Sequence, residues 1–161
     1  MGVAGCGKSV VGRRVADALG VPLIEGDDFH PPANIEKMRR GVPLTDEDRA
    51  GWLHELALAL ARHPQGAVLA CSALKRAYRD TLRAAVPDLR FLHLDVSQAE
   101  ALARVASRSG HFYPPALVAS QFAALEGPAG EPGVLVADGT ETVDAIAARA
   151  AAWLRTQFNN P

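Results

Sequence analysis

The segment Gly2–Ser9 has a spacing of residue types that suits phosphate binding. It reads Gly-Val-Ala-Gly-Cys-Gly-Lys-Ser and fits the pattern G-x-x-x-x-G-K-[ST], in which glycines let backbone N–H groups converge on phosphate oxygens. The Lys8 ammonium would bridge the β- and γ-phosphates of ATP, and the Ser9 hydroxyl would ligate Mg²⁺. The alternative is a glycine-rich turn that only caps a helix; we favour phosphate binding because the full pattern is rare by chance. The nucleotide-binding candidates are Gly2, Gly5, Cys6, Gly7, Lys8, Ser9 and Val10.

A second group of polar residues follows a short apolar stretch, in the segment Gly26–Pro31. An acid at the carboxyl end of a parallel strand points into the ligand crevice of the sheet. Asp27 could therefore orient or deprotonate a hydroxyl group, and His30 could hydrogen-bond a polyol or a carboxylate. An acidic turn with a surface histidine would have the same spacing, so the spacing leaves both interpretations open.

Basic residues at helical spacing form a third group. Arg49 lies in an acidic segment, and Lys75 and Arg79 are four residues apart, so that they share a helix face. Such cations near the phosphates would suit an anionic acceptor. A solvated helix face is the alternative, and for the spacing alone it is the stronger one.

Two further arginines, Arg104 and Arg108, are also four residues apart and precede Gly110. This arrangement predicts a lid over residues 104–115, in which a hinged helix carries catalytic cations over the triphosphate. An ordinary surface face competes with this interpretation.

Alternating apolar and helical patterns must position these groups. Strands are predicted at 21–25, 67–71, 89–94 and 134–137, and helices at 9–19, 33–40, 45–63, 73–85, 97–108, 115–126 and 143–158. Strands that alternate with helices predict an α/β fold in which a parallel sheet carries helices on both faces.

The strand that should feed the phosphate loop is missing from this pattern. Met1 stands directly before Gly2, whereas a phosphate loop of this kind follows a buried, central strand. We therefore expect either a start site upstream or a sheet with a gap in its middle. A chain with such a gap should be poorly soluble or weakly active unless another segment or a partner chain fills it.

Length and composition limit the class of protein. The 161 residues are enough for one domain, residues 1–161, and 48% of them are apolar, as in globular proteins. The 17 basic and 18 acidic residues nearly cancel, so no bulk field recruits nucleic acid or an anionic membrane. No apolar stretch is long enough to span a membrane, and no secretory leader is recognisable. Two cysteines form no disulfide framework, which predicts a cytoplasmic protein.

The motifs also separate classes of phosphate-loop protein. We find no N-K-x-D or D-x-x-G motif of a GTPase at a suitable strand end, and the chain is too short for a helicase or a transporter ATPase. A small-molecule kinase fits, because it needs an acceptor carboxylate and cations beside the phosphate loop.

These residues together resemble the gluconokinase family over nearly the whole chain. The matching blocks, beyond the phosphate loop, are Gly26-Asp27 with His30-Pro31; Asn34–Met38; Gly41, Pro43-Leu44, Asp46, Asp48-Arg49 and Trp52-Leu53; Cys71–Lys75 with Tyr78–Asp80; Gly110–Phe112; and Ser120–Phe122 with Leu125-Glu126. The phosphate loop is shared by many enzymes, whereas the other blocks in this order are specific to this family.

The resemblance implies a nucleoside-monophosphate-kinase-like fold with a five-stranded parallel sheet. It implies transfer of the ATP γ-phosphoryl group to the 6-hydroxyl of D-gluconate with Mg²⁺, in an enzyme that often forms homodimers. Asp27 and His30 match the family's acceptor motif within an acceptor-binding region at about 26–53. The cations expected near the sugar acid are Arg49, Lys75 and Arg79, and those of the lid are Arg104 and Arg108.

Two alternatives remain open. Another small kinase of this type, such as one that acts on shikimate, would also use an aspartate and arginines, although the blocks at 27–30 and 71–75 argue against it. A non-catalytic nucleotide-binding module belongs to a different class, and an ATPase assay with and without gluconate separates it from both kinases.

Overall fold

The computed structural model of the chain describes residues 1–107 and 114–158. The strands are β1 (Leu23–Glu25), β2 (Val68–Ala70), β3 (Phe91–Asp95) and β4 (Val134–Asp138). The helices are α1 (Lys8–Leu19), α2 (Pro32–Arg39), α3 (Asp46–Ala61), α4 (Arg76–Ala85), α5 (Gln98–Ser107), α6 (Ala116–Ala124) and α7 (Val143–Phe158), and a 3₁₀ helix covers Gly26–Phe29. The alternation of strands and helices confirms the predicted α/β class.

Local sequence signals explain where the helices begin and end. Helix α1 ends at Gly20, whose left-handed backbone (φ 68°) lets its N–H bond back to the carbonyl groups of Ala16 and Asp17. Helix α3 begins with a capping box in which Thr45 accepts from the Asp48 N–H and the Asp48 carboxylate accepts from the Thr45 N–H. These boundaries lie within two residues of the predicted ones.

Helix α4 begins three residues later than predicted. Ala73 has a left-handed backbone with φ 45°, and Lys75 is extended, so the chain turns sharply before Arg76. An alanine in this region is strained, and periodicity in the sequence carries no signal of it. The 3₁₀ helix at Gly26–Phe29 is likewise a feature that we did not predict.

The four strands of the described residues form two parallel pairs. β1 pairs with β2, with Ile24 opposite Leu69, and β3 pairs with β4, with His93 opposite Val136. No hydrogen-bonded strand joins β2 to β3 within residues 1–107 and 114–158. The resemblance implied a five-stranded sheet, whereas the described residues contain four strands with an interruption between the two pairs.

The backbone of Met1 and Gly2 lies at this interruption. The Met1 amino group donates to the Leu92 carbonyl at 2.6 Å, and the Met1 carbonyl accepts from the Leu94 N–H at 3.0 Å. On the other side, the Gly2 N–H donates to the Ser72 carbonyl at 3.2 Å. These two residues therefore link the end of one strand pair to the other and place the phosphate loop above the centre of the sheet.

The core consists of two main apolar clusters. One contains Val11, Leu94 and Ile146 and packs between α1, β3 and α7; the other contains Ile24, Leu56 and Leu82 and packs between β1, α3 and α4. Helix α1 packs against both β2 and α7. Among the described helices, none is both long and apolar enough to cross a membrane.

Candidate active site

The phosphate loop wraps the N-terminus of α1. Gly7 precedes the helix with φ 97°, and no heavy atom lies within 4 Å of the point where a Cβ atom would stand, so this side of the loop faces open space. The Lys8 ammonium donates to the Val3 carbonyl across the loop at 2.9 Å. The loop thus brings together a helix N-terminus and a cation, which is the arrangement that binds an anion.

A glutamine from α6 holds the loop from outside. The Gln121 side-chain oxygen accepts from the Ala4 N–H at 2.6 Å, and Gln121 itself is buried. Gln121 was not among the predicted site residues. Its only sequence signal is its place in the Ser120–Phe122 block.

A glutamate contacts the phosphate loop where the loop enters α1. The Ser9 hydroxyl donates to Glu25 Oε2 at 2.9 Å, and Glu25 is the last residue of β1. Two oxygen ligands beside a phosphate loop fit Mg²⁺, which prefers oxygen and takes few ligands from the protein. Sequence analysis proposed Ser9 for the metal and missed Glu25, which looks in the sequence like the end of an apolar strand.

Asp27 follows β1 on the 3₁₀ helix and lines the same cleft as Lys8 and Ser9. Gly26 fixes this helix closely on the sheet, because a Cβ atom there would lie 2.7 Å from the Ala70 carbonyl oxygen. The Trp52 indole N–H donates to the Gly26 carbonyl at 2.7 Å. A close approach and a buried hydrogen bond therefore fix the backbone that carries Asp27.

His30 lines the cleft from the end of the 3₁₀ helix. Its ring stacks on Trp52 with centroids 4.5 Å apart and planes 9° apart. Burial lowers the pKa of His30, and the nearby Arg49 guanidinium lowers it further, against the opposing effect of Asp27. The imidazole is therefore mainly neutral at pH 7.

Arg49 also lines the cleft, from the first turn of α3. Its guanidinium donates to the Leu44 carbonyl and lies 5.7 Å from the centre of the Tyr78 ring, a distance typical of a cation–π contact. Arg49 retains further N–H donors beyond the one that Leu44 accepts. Asp27, His30 and Arg49 thus line one cleft together with the phosphate loop; their roles there stay a prediction.

Lys75 stands behind Arg49 and is not one of the cleft-lining residues. Its ammonium binds both carboxylate oxygens of Asp46, at 2.8 and 2.9 Å, and Asp46 also accepts from the Tyr78 hydroxyl. The hydrogen bond from Lys75 lowers the pKa of Asp46, and the same bond raises the pKa of Lys75. Lys75 is thus linked to Tyr78 through Asp46, and its contact with an acceptor stays a prediction.

Arg79 is fully buried and does not line the cleft. It donates to the carbonyl groups of Ala73 and Leu74 at 2.9 Å each, and to both carboxylate oxygens of Glu131. Arg83 donates to the same carboxylate at 3.0 Å. We call these five residues the arginine corner. The expected contact between Arg79 and the substrate is therefore corrected to a structural role: Arg79 holds the strained Ala73 turn against the segment that carries Glu131.

Arg104 has two hydrogen-bond partners within the chain. Its Nε donates to Glu100 at 2.7 Å and its Nη1 to the Gly139 carbonyl at 3.0 Å, so the free lid cation that the sequence predicted is instead tied to the end of β4. Arg108 and the Gly110–Phe112 block lie outside the described residues.

Some of the predicted nucleotide-binding residues line the cleft and others do not. Gly5, Gly7, Lys8 and Ser9 line the cleft. Gly2 and Cys6 are buried beneath the loop, and Val10 is exposed on α1 and does not line the cleft.

Comparisons with known proteins agree with this geometry. A family model described as an AAA domain matches residues 1–128. The chain is 47% identical to the thermosensitive gluconokinase of Escherichia coli K12 over 131 residues, which cover 80% of this chain and 70% of that protein. It is 45% identical to the gluconokinase of Gluconobacter oxydans 621H over 149 residues, which cover 91% of this chain and 84% of that protein.

A solved structure extends the likeness to three dimensions. The crystal structure of a gluconokinase from Sinorhizobium meliloti 1021 superposes with a TM-score of 0.85 at 43% identity, covering 99% of this chain and 95% of that chain. The likeness spans both sides of the cleft, from the phosphate loop to the residues that follow β1. The chain belongs to the gluconokinase family of small P-loop kinases.

Proposed function

We propose that this protein transfers the γ-phosphoryl group of ATP to the 6-hydroxyl of D-gluconate. One observation carries the proposal: a single cleft unites the phosphate loop with a carboxylate, an imidazole and a guanidinium from the acceptor side. Membership of the gluconokinase family supports the choice of substrate. A kinase of this kind requires that donor and acceptor meet in line within a protected site.

The phosphate loop supplies the electrostatic part of the reaction. The Lys8 ammonium exchanges its contact with the Val3 carbonyl for the β- and γ-phosphate oxygens of ATP, where negative charge accumulates during transfer. The N-terminus of α1 adds its partial positive charge on the same side. The backbone of the loop fixes the helix N-terminus, so that on this side only the Lys8 side chain has to change its partner.

The acceptor side supplies a base and an anchor. Asp27 accepts the proton of the substrate hydroxyl as its oxygen bonds to the γ-phosphorus, while the bond from that phosphorus to the β-γ bridging oxygen breaks and ADP leaves. Arg49 has the planar donor set that pairs with a carboxylate, and gluconate carries one. A sugar acid anchored at Arg49 would present its far hydroxyl toward Asp27.

Ser9 and Glu25 are the residues that would hold Mg²⁺. The metal, when bound, neutralises charge on the β- and γ-phosphates. Within residues 1–107 and 114–158, no group of three or more His, Cys, Asp or Glu side chains forms a cage for a metal. The protein's contribution to the metal would thus be small, and the phosphates would supply much of the rest.

We also propose that the enzyme is a cytoplasmic homodimer. The family resemblance implies the dimer, and the two cysteines, Cys6 and Cys71, are both free and buried, which suits a reducing compartment. Light scattering on the purified protein tests the dimer, because a dimer has twice the mass of the 17.0 kDa chain.

An acceptor panel tests the proposed reaction. The purified chain is incubated with ATP and Mg²⁺ alone, with gluconate, or with shikimate, and ADP is measured. We expect ADP release that depends on gluconate and a product that 6-phosphogluconate dehydrogenase oxidises. Turnover with shikimate instead would favour a different small-molecule kinase, and ATP binding without turnover on any acceptor would favour a non-catalytic module.

A further inference from the structure

The His30 ring has a fixed plane. It stacks on the indole of Trp52 at 4.5 Å between centroids, and that indole is itself fixed by its hydrogen bond to the Gly26 carbonyl. With the plane fixed, the chemistry that His30 offers depends on which ring nitrogen carries the proton. That choice is made by the neighbour of each nitrogen.

The neighbour of Nδ1 is Asn34, a buried residue of α2. Its side-chain Nδ2 donates to the backbone carbonyl of Asp48 at 2.8 Å. A carbonyl oxygen only accepts hydrogen bonds, so the atom that faces it must be the amide NH₂ group and not the amide oxygen. The orientation of the Asn34 amide is therefore determined by its backbone partner.

The same Nδ2 lies 3.5 Å from His30 Nδ1. The distance is long for a hydrogen bond. The Asn34 group that faces Nδ1 is nevertheless a donor, so a proton on Nδ1 would place two N–H groups opposite each other. The arrangement therefore favours an unprotonated Nδ1 that accepts from Asn34, which leaves the proton of the neutral ring on Nε2.

We propose that Asn34 is a positioning residue that fixes His30 as its Nε2–H tautomer, so that His30 presents an N–H donor to an oxygen of the acceptor substrate. The substrate part of this inference rests on the proposed function. His30 lines the cleft, and with its Nδ1 edge taken by Asn34 it turns the Nε2 edge to a ligand. His30 then binds a hydroxyl or carboxylate oxygen, and Asp27 alone takes the proton.

The charges around His30 agree with this division of roles. Asp27 faces it from the 3₁₀ helix and Arg49 from α3, while Asn34 of α2 and Trp52 of α3 carry no charge. Burial lowers the pKa of His30 more than Asp27 raises it, which favours the neutral ring at pH 7. Protonation at lower pH would put a proton on Nδ1, opposite the Asn34 donor.

Nitrogen NMR on the whole chain, labelled with ¹⁵N-histidine, tests the tautomer directly. The His30 signals are identified by their absence in His30→Gln. We expect the protonated-type nitrogen to be Nε2, and a titration midpoint below the ordinary histidine value of 6.5. A His30 that is mainly Nδ1–H, or an even mixture of tautomers, would overturn the proposal whatever the activity is.

Two variants connect the tautomer to binding. Asn34→Asp places an acceptor opposite Nδ1, and we expect the pKa of His30 to rise. At a pH above that raised pKa, where the ring is neutral, we expect the proton to be on Nδ1 and the KM for gluconate to rise about 10-fold at unchanged KM for ATP. Lys37→Met is the matched control, because it removes the other polar link from α2 to Asp48 and leaves Asn34 in place. An unchanged gluconate KM in a folded Asn34→Asp protein with the switched tautomer would overturn the role in binding.

The outcomes also separate this proposal from the proposed function. If the wild-type chain has the Nε2–H tautomer but does not phosphorylate gluconate, the proposed function fails and the tautomer assignment stands. If it phosphorylates gluconate with an Nδ1–H ring, the proposed function stands and the role of Asn34 fails.

Discussion

Arg49 in the cleft and Arg79 in the arginine corner had the same prediction from sequence, and the structure gives them opposite surroundings. Arg49 is partly exposed, with a carbonyl group and an aromatic ring as its neighbours. Arg79 is fully buried, and its donors are taken by Glu131 and by backbone carbonyl groups. An arginine whose N–H donors are all hydrogen-bonded within the protein stabilises the fold. An arginine with unused N–H donors that face a cleft can bind a ligand.

The same contrast holds for the two regions as wholes. Cleft groups such as Lys8 and Asp27 have fewer fixed partners than the ion pairs of the corner. Removing a cleft group should therefore reduce the rate and leave stability nearly unchanged. Removing a corner group should reduce stability and leave the chemistry of the folded fraction nearly unchanged.

Lys8→Ala should have the largest effect. Without a cation at the β- and γ-phosphates, we expect kcat to fall by about 10³–10⁵-fold, the range for a lost cationic contact in phosphoryl transfer. The melting temperature should hardly change. Arg14→Ala is the control, since Arg14 is an exposed cation on the same helix; turnover of Lys8→Ala at the rate of this control would refute the phosphate-loop assignment.

Asp27→Asn should come next. The amide cannot accept the hydroxyl proton as a carboxylate does, so we expect kcat to fall by about 10²–10⁴-fold with the KM for ATP little changed. Asp28→Asn, a substitution at an exposed neighbour that does not line the cleft, should keep the wild-type rate. A rise in the KM for ATP at preserved kcat would instead make Asp27 a metal or nucleotide ligand.

Arg79→Met should affect stability instead of rate. It leaves the Glu131 carboxylate without its buried partner and frees the strained Ala73 turn, and breaking a buried ion pair costs about 3–5 kcal/mol. For a chain of this size, we expect the melting temperature to fall by about 10 °C, measured by calorimetry. A stable variant with a raised KM for gluconate would instead support the original prediction that Arg79 contacts the substrate.

Arg49→Met should affect substrate binding instead of stability, and its effect should be smaller than those of the substitutions above. The loss of a charged contact with the sugar acid should raise the KM for gluconate by about 10- to 100-fold, with the melting temperature within a few degrees of the wild type. Arg49→Lys should recover only part of the affinity, because an ammonium lacks the planar pair of donors. Equal destabilisation by the Arg49 and Arg79 substitutions would remove the distinction between cleft and corner.

Glu131→Gln removes the charge from the other side of the ion pair with Arg79 and should have an effect on stability that depends on pH. The hydrogen bond from Arg79 lowers the pKa of Glu131 below its ordinary value of 4.5 in the folded protein. A carboxyl with a lowered folded-state pKa adds stability above its unfolded pKa and loses it as the pH falls. The difference in melting temperature between wild type and variant should thus be full at pH 7 and shrink below pH 4.5; a constant difference would show that the charge is not involved.

Local signals explain what could be predicted from sequence. The glycines and the capping box of Thr45 with Asp48 determine helix ends through contacts within a few residues, and the loop Gly2–Ser9 carries its chemistry in consecutive positions. The cleft residues after β1 were predicted because parallel strands end at the same edge of a sheet.

Long-range contacts explain what could not be predicted. Arg79 has a structural role because it pairs with Glu131, which is 52 positions away in the sequence. The sequence around residue 79 carries no signal of this ion pair. Arg104 is similarly fixed by Gly139, 35 positions away. Glu25 and Asn34 are single polar residues whose roles come from Ser9 and Asp48 respectively, which are distant in the sequence and close in the structure.

The division of the sheet into two strand pairs has a consequence for how the protein opens. The apolar clusters cross this division: the cluster around Ile24 and Leu56 also contains Phe91 of β3. Moving one strand pair away from the other would therefore expose apolar surface on both. Helix α1 packs on β2 of one strand pair and on α7, which in turn packs on β4 of the other pair, so it links the two pairs. A nucleotide bound at the start of α1 would favour the state in which the two pairs are packed together. Ligand binding would then stabilise both strand pairs at once.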